Sequence, residues 1–301
     1  MDKYLVVIAG PTASGKTSTA IKVAQALGSV IISADSRQFY KEIPIGTAAP
    51  TKQELSKVQH YMIHNLSVED DYNVADYEHD VLNLLNKLFL EHDTVVLTGG
   101  SGLFIDAVCN GIDFMPDISD ENRESVKKLY HDGGLQALQE EVKRLDPEYY
   151  KIVDKQNPRR LQRAIEVCYQ TGLPYFYFRN NIVKHRDFKI VKVAILWERN
   201  ELISRINQRV ENMIAEGLVE EARMMYPKRH LNSLNTVGYK EMFEYFDGKI
   251  TLEEAIEQIK ISTRQYAKRQ MTWLRRSNDY KWFTVDEVDK MLEYINDQQS
   301  K

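Results

Sequence analysis

The chain is poor in cysteine, has no long apolar run and carries no strong excess of either charge. Its two cysteines, Cys109 and Cys168, lie far apart with no C-x-x-C spacing. That excludes a disulfide framework and a zinc ribbon and points to a reducing, cytoplasmic setting. No stretch of eighteen apolar residues exists, so no membrane-spanning helix is expected. The apolar part of MDKYLVVIAGPTASGK is too short for a signal peptide and runs straight into a motif. A net charge of −4 excludes a generic polyanion binder, so any nucleic-acid surface must be local. With 301 residues, 43% of them hydrophobic and 28% charged, there is material for one large or two modest soluble domains.

Short apolar runs alternate with helical periodicity at the start of the chain. Tyr4–Ile8, Val30–Ser33 and Thr94–Leu97 read as buried strands, and Thr17–Leu27 and Asp76–Glu91 as amphipathic helices. This alternation predicts an α/β fold with a parallel sheet flanked by helices. From about Asp113 to Asp187 the pattern turns helical, with loop punctuation at Gly133-Gly134 and Pro147. Then IVKVAILW, residues 190–197, reads as a return to the sheet. The expected organisation is one catalytic core, 1–113 and 188–301, interrupted by an all-helical module, 114–187. Helices are expected at Glu201–Glu216, Leu218–Met225 and Thr251–Arg275.

Residues Gly10, Pro11, Thr12, Ala13, Ser14, Gly15, Lys16 and Thr17 satisfy GxxxxGK[ST] between a strand and a helix, the setting of a P-loop NTPase-like core. Such glycines let backbone N–H groups turn inward around anionic oxygens, and the next helix adds its positive end. Lys16 supplies a mobile charge and Thr17 a hydroxyl for Mg²⁺. The loop does not name its substrate. A hydrolase of this kind ends an apolar strand in aspartate to hold the metal, whereas DTVVLTGGSG ends in threonine and glycine. The acid is Asp35, just past the second strand in VIISADSRQFY. Since ligands of open α/β sheets lie beyond the strands' carboxyl ends, Asp35, the 10–17 loop and Ser101 should converge on one crevice. There Asp35 can hold Mg²⁺ or accept a proton. An Asx turn explains Asp35 equally well, and strand-to-helix punctuation explains GGSG.

Two segments are locally basic. In QNPRRLQRAIEV, Arg159, Arg160 and Arg163 crowd a helix start capped by Asn157 and oppose its dipole. An anionic partner or neighbouring glutamates account for that. In KISTRQYAKRQMTWLRR, cations interleave with Tyr266 and Trp273, which suits a phosphate backbone with stacked bases or a plain solvated face. Arg205 and Arg209, at i and i+4, share a face in the manner of arginines that neutralise a leaving group.

Together these residues resemble the tRNA isopentenyltransferase (tRNA dimethylallyltransferase) family. The resemblance rests on GPTASGKT at 10–17, SADSRQFY with IGTA at 33–48, NVADY at 73–77, GGSGLF at 99–104 and RRLQRAIEV at 159–167. It continues through RINQRVENMIAEGL, TVGYKE at 236–241 and TRQYAKRQMTWLRR at 263–276. No single motif is diagnostic; their order is.

The resemblance implies transfer of a dimethylallyl group from its diphosphate to the exocyclic amine of the adenosine 3′ to the anticodon, releasing pyrophosphate. Asp35 then matches the catalytic aspartate, Ser101 a hydroxyl near the amine and the phosphates, and Arg209 an arginine directed at the diphosphate. Asp35, Ser36, Arg37 and Gln38 fall in a base-reading segment. Gln162, Arg163, Ala164, Ile165 and Glu166 fall in a second tRNA-contacting segment, and Arg123, Lys268 and Arg269 correspond to further RNA contacts. The implied cofactor is Mg²⁺ at Thr17. The implied partners are the tRNA anticodon stem-loop and dimethylallyl diphosphate, with no membrane, for a cytoplasmic monomer whose helical module clamps the anticodon loop. The chain departs from the family pattern at Ala49, where lysine is usual, and at Ile43-Pro44. Two cysteines cannot build the C-terminal zinc finger of eukaryotic relatives, which favours the compact bacterial type. Two other readings remain: a P-loop kinase of a small metabolite or nucleoside, and a non-catalytic RNA-binding ATPase.

Overall fold

The structure, a computed structural model, describes residues 2–180 and 182–300. The chain divides into two compact units, one formed by Met1–Cys109 with Arg186–Lys301 and the other by Asn110–His185.

The first unit is built on six strands: β1 (Tyr4–Ala9), β2 (Ile31–Ser33), β3 (His60–Tyr61), β4 (Thr94–Gly99), β5 (Lys189–Ile195) and β6 (Lys281–Phe283). All pair in parallel, in the order β3-β2-β4-β1-β5-β6. The helices, in chain order, are α1 (Lys16–Ala26), α2 (Lys52–Leu55), α3 (Val74–Leu88), α4 (Gly102–Asn110), α5 (Asp120–Leu145), α6 (Pro147–Ile152), α7 (Pro158–Thr171), α8 (Arg199–Ala215), α9 (Leu218–Met225), α10 (Tyr239–Phe246), α11 (Leu252–Leu274) and α12 (Val288–Gln299). Side chains of β1 alternate between two cores, as a strand's twofold repeat requires. Leu5 and Val7 join Tyr77, Val81 and Leu85 of α3 and Ile105 of α4 on one face. Val6 and Ile8 join Ala20, Val23 and Ala24 of α1 and Met291 and Ile295 of α12 on the other. Each fully buried Val, Leu or Ile contributes about 1.5–3 kcal/mol, so this double covering fixes the sheet. A third core unites α8, α9, α10 and α11 with Tyr40 and Ile43. This is the α/β architecture that the strand–helix alternation predicts. Strands β3 and β6, two and three residues long, carry too little sequence for a periodicity to show.

The second unit is helical. Helices α5, α6 and α7 bury Val126, Leu138, Val142, Tyr149, Leu161, Ala164 and Ile165 in a core of their own. The punctuation expected at Gly133-Gly134 takes the form of a sharp kink within α5, where Gly134, at φ 62° and ψ −156°, breaks the helical geometry between two helical segments. Helix α7 starts as its sequence suggests: Asn157 Oδ1 accepts the Arg160 N–H at 3.2 Å, and Pro158 occupies the first turn. Among the described residues no helix is long and apolar enough to cross a membrane.

Candidate active site

Strands β1, β2 and β4 release their chains at one edge of the sheet, and three loops meet there. The 10–17 loop leaves β1. Gly15, at φ 79°, is the N-cap of α1, with no side-chain cap and no acidic residue in the helix's first turn. The helix's leading amides are therefore left to an anion. The loop is held with its carbonyls turned outward. Arg205 Nε donates to Ala13 O and Trp197 Nε1 donates to Ser14 O, each at 2.8 Å, while the Arg205 guanidinium lies 4.4 Å from the Trp197 ring. Gln270 of α11 accepts the Thr12 N–H and donates to Gly100 O, both at 2.8 Å. It thereby ties the loop to the turn after β4. Trp197 closes a stretch that reads only as a strand, and Gln270 sits in the basic 263–276 segment where the cations and aromatics carry the signal, so neither role shows in the sequence.

At the end of β2, Asp35 Oδ1 accepts the Arg37 N–H at 3.1 Å, which is the Asx turn. The turn and the functional reading coexist, because the same carboxylate lines a cavity of about 110 Å³ with Thr12, Lys16, Thr17, Arg209 and Tyr266. The turn after β4 approaches closely: Ser101 N–H donates to Ala34 O at 3.2 Å, and a Cβ on Gly99 would lie 2.2 Å from that same oxygen. Only glycine fits at 99, so the first glycine of GGSG is required by packing as well as by the turn. Ser101 Oγ accepts the Ser36 N–H at 3.0 Å and reaches Ser36 Oγ at 3.2 Å. Tyr266 is hydrogen-bonded to the Ser101 hydroxyl, and burial, then Asp35, pushes its phenol up to about 12. It stays protonated at neutral pH. The NVADY stretch is structural at its start: Asn73 and Asp76 form a capping box on α3. Its Tyr77 hydroxyl donates to Ser33 O at 2.8 Å beneath the strand that presents Asp35.

A second, wider cavity of about 840 Å³ adjoins the first, within the range of small-molecule sites, ~300–1,000 Å³. Both cavities have Lys16, Thr17, Ala48, Arg209 and Met213 in their walls. Arg209 Nη2 donates to Thr47 O at 3.4 Å, and Gln38 Nε2 donates to the carbonyls of Thr47 and Ala48 at 3.3 and 3.2 Å. This 45–48 loop is fixed from behind by Glu221, whose carboxylate accepts the N–H groups of Ile45 and Gly46 and the Tyr239 hydroxyl. The TVGYKE motif thus acts on the site through its tyrosine.

Burial first, with Arg209 beside it and Asp35 opposing, lowers the Lys16 ammonium to about 8, although the residue keeps some exposure. Arg209 is lowered chiefly by burial, against the pull of Asp35. Two cations held near one carboxylate without enough solvent are poised for an anion. The sign of the consequence follows. Above pH 8 the anion-free protein loses the Lys16 proton, so anion binding must take one up. The dissociation constant of inorganic pyrophosphate should rise with pH between about 8 and 10, approaching tenfold per unit. Titration calorimetry in buffers of different ionisation enthalpy should register the proton uptake. A flat profile would detach Lys16 from the anion.

The remaining residues separate. Arg37 lines the narrow cavity but donates to the carbonyls of Asn232 and Ser233 at 3.3 and 3.0 Å. In the helical unit, Arg123 is exposed and Arg163 lies 3.7 Å from Glu166, with Gln162 on the same helix. Ala164 and Ile165 point into that unit's core, 1% and 0% exposed, so their side chains present nothing to a partner. On α11, Lys260 pairs with Glu211 and Glu257, and Arg264 donates to Asn207 at 2.7 Å. Lys268, Arg269, Trp273 and Arg276 instead line an open groove with Gln265 and Thr272.

Known proteins show what the chain is related to. The family model described as IPP transferase matches residues 38–277. The chain is 49% identical to tRNA dimethylallyltransferase 1 of Phocaeicola vulgatus, over 98% of this chain and 99% of the relative. It is also 49% identical to tRNA dimethylallyltransferase 2 of Parabacteroides distasonis, over 98% of each. Among solved structures it resembles the tRNA isopentenylpyrophosphate transferase of Bacillus halodurans, with TM-score 0.73 and 33% identity over 98% of this chain and 96% of that one. A eukaryotic dimethylallyltransferase acting on tRNA shares the fold, with TM-score 0.77 at 23% identity over 94% and 74%. The chain belongs to the IPP transferase family.

Proposed function

We propose that this protein transfers the dimethylallyl group of dimethylallyl diphosphate to the exocyclic amine of the adenosine 3′ to the anticodon of tRNA. The observation that carries the reading is that Asp35, Lys16, Thr17 and Arg209 share the walls of one cavity at the carboxyl ends of the strands. The diphosphate sits against the loop amides, Lys16 and Arg209, with the wider cavity giving it room. The allylic C–O bond breaks with its electron pair going to the departing diphosphate, and fixed cations and amides stabilise the charge as it develops. The adenine amine forms the new N–C bond and gives up a proton to Asp35. Ser101 and Tyr266 hold the turn that carries Asp35. A flipped-out purine enters from the Asp35 side, at a cost of a few kcal/mol for unstacking.

The oxygens of Thr17 and Asp35 suit Mg²⁺, a hard cation that keeps several waters. When bound, it supplies Lewis-acid neutralisation of the diphosphate. Arg123, Gln162, Arg163 and Glu166 of the helical unit, with Lys268 and Arg269 of α11, are read as tRNA contacts. Cytoplasmic, monomeric action fits this reading.

The competing reading is a kinase using the same loop. Against it, β4 ends in Thr98-Gly99 and not in an acid, and phosphate transfer leaves the cationic groove on α11 without a role. Incubation with Mg²⁺, labelled dimethylallyl diphosphate and an unmodified anticodon stem-loop should move label into RNA. Replacing the isoprenoid by ATP should give neither RNA labelling nor phosphate release. Phosphate release without alkylation would establish the kinase or ATPase reading.

Because Arg264 is committed to Asn207 and Lys260 to glutamates, the phosphate contacts of α11 fall to the groove. Lys268→Ala should weaken stem-loop binding and reduce the slope of log K against log salt by about 1. Filter binding across a salt series measures this. An unchanged slope would show the groove to be merely solvated.

A further inference from the structure

The mechanism leaves a buried ring nitrogen beside the site unused. His60, on β3, has its Nδ1 2.7 Å from Val58 O. Only an N–H makes that contact favourable, so the proton is on Nδ1 and Nε2 is a bare acceptor. Burial lowers the His60 pKa, against the pull of the Val58 carbonyl, which keeps the ring neutral. Yet Nε2 is shielded from solvent and has no hydrogen-bond partner among the described residues. A buried acceptor left unsatisfied costs about 1–3 kcal/mol, so its surroundings call for an explanation.

His60 lines a cavity of about 10 Å³ with Lys16, Thr17, Asp35, Gln38 and Thr98. That volume is roughly one water, the smallest cavity that can hold one being ~10–15 Å³. The chemistry of the walls is equally restrictive. His60 Nε2 and the Asp35 carboxylate only accept hydrogen bonds. The Lys16 ammonium only donates, and the Thr17 hydroxyl can donate too. A molecule that gives two hydrogens and accepts at least one bond completes this set, and water does so. A Mg²⁺ ion that keeps its waters needs the roomier cavity of about 110 Å³ that Thr17 and Asp35 also line, whereas this chamber takes a single water.

We propose that this chamber is a one-water site, and that the water bridges His60 Nε2 to Asp35, making His60 a positioning residue for Asp35. The water's two hydrogens go to Nε2 and to a carboxylate oxygen, and its oxygen accepts from Lys16 or Thr17. Asp35 is then gripped on one side by the Arg37 N–H of its own turn and on the other by a water anchored to β3. A carboxylate at the mouth of a turn is thereby fixed at the angle a nucleophile needs. The inference rests on the reading of Asp35 as the amine's partner.

Two substitutions separate the roles of the two ring nitrogens. His60→Asn keeps an N–H where Nδ1 reaches Val58 O but has no acceptor at the Nε2 position, whereas His60→Gln can place its amide oxygen there. His60→Asn should lower kcat about tenfold, the size of one lost hydrogen bond. KM for dimethylallyl diphosphate and for the stem-loop should stay within about twofold, because substrate contacts are untouched. His60→Gln should recover most of kcat. A crystal structure of the unsubstituted protein should place a water within hydrogen-bond distance of both Nε2 and Asp35, and the same water should be lost or displaced in His60→Asn. The proposal is overturned if the chamber holds no water, if His60→Asn turns over normally, or if both variants lose activity together with thermal stability. If the unsubstituted protein shows the water but never alkylates RNA, the functional reading has failed and not the water site.

Discussion

Asp35→Ala should lower prenyl transfer by about 10²-fold or more, the contribution expected of a positioned proton acceptor. Single-turnover assays with saturating stem-loop and dimethylallyl diphosphate measure this directly. The reasoning is chemical. The adenine amine is a poor nucleophile because its lone pair is delocalised into the ring. A carboxylate that accepts its hydrogen bond orients the lone pair and takes the proton as the N–C bond forms. Asp35 shares its cavity with Lys16, Thr17 and Arg209, so its loss also leaves two cations without a carboxylate that acts on both. Diphosphate affinity should therefore hold steady or rise in the variant while kcat collapses. Since Asp35 also closes an Asx turn through the Arg37 N–H, Asp35→Asn is the sharper variant. It keeps an oxygen for the turn and removes the basic function. Near-normal turnover in Asp35→Asn would assign Asp35 to the turn alone.

The second large effect is expected at the cage. Lys16→Ala should reduce kcat by about 10²–10³-fold, the range for deleting one preorganised donor to a developing negative charge. Lys16 approaches Pro11 O at 3.4 Å, a long contact that binds it only loosely to its own loop. Its ammonium is therefore available to an anion. Arg209, on α8 at the wall common to both cavities, should show a loss of similar order in Arg209→Ala. The two effects should be far from additive, because both groups act on one leaving group. Arg205, four residues earlier on the same helix, gives the contrast. It holds Ala13 O and packs on Trp197, so Arg205→Ala should disturb the loop's shape and raise KM more than it lowers kcat. Equal kcat losses at 205 and 209 would contradict this division of labour.

Much of this was legible in the sequence, for definite reasons. The 10–17 loop shows because its turn calls for glycine at set spacings, and Asp35 shows because a strand end is where α/β sheets present ligands. The cores of β1, α1 and α3 show because burial writes a period of two or of 3.6. What the sequence hid is mostly tertiary. Gln270 bridges two loops from a helix whose composition advertises only charge. His60 lies in a two-residue strand with no recognisable pattern. Glu221 and Tyr239 meet from separate motifs to fasten the 45–48 loop. The basic segment of α11 read as one surface, yet its residues diverge: Lys260 and Arg264 turn to partners on α8, while Lys268 and Arg276 face the open groove. Helical periodicity places residues on faces, but only packing decides which face meets a neighbour. Likewise the segment 162–166 is continuous as a string but divided as a helix, with Ala164 and Ile165 inside and Gln162, Arg163 and Glu166 at the margin.

The central claim is spatial: the 10–17 loop and Asp35 hold the two reacting partners on either side of one scissile bond. It is tested most directly by a crystal structure with Mg²⁺, a slow-reacting thiodiphosphate analogue of the isoprenoid and an anticodon stem-loop. The account predicts the diphosphate against the loop amides, Lys16 and Arg209, and the adenine exocyclic amine within about 2.6–3.2 Å of the Asp35 carboxylate. A diphosphate bound away from the loop, or an amine facing away from Asp35, would contradict it.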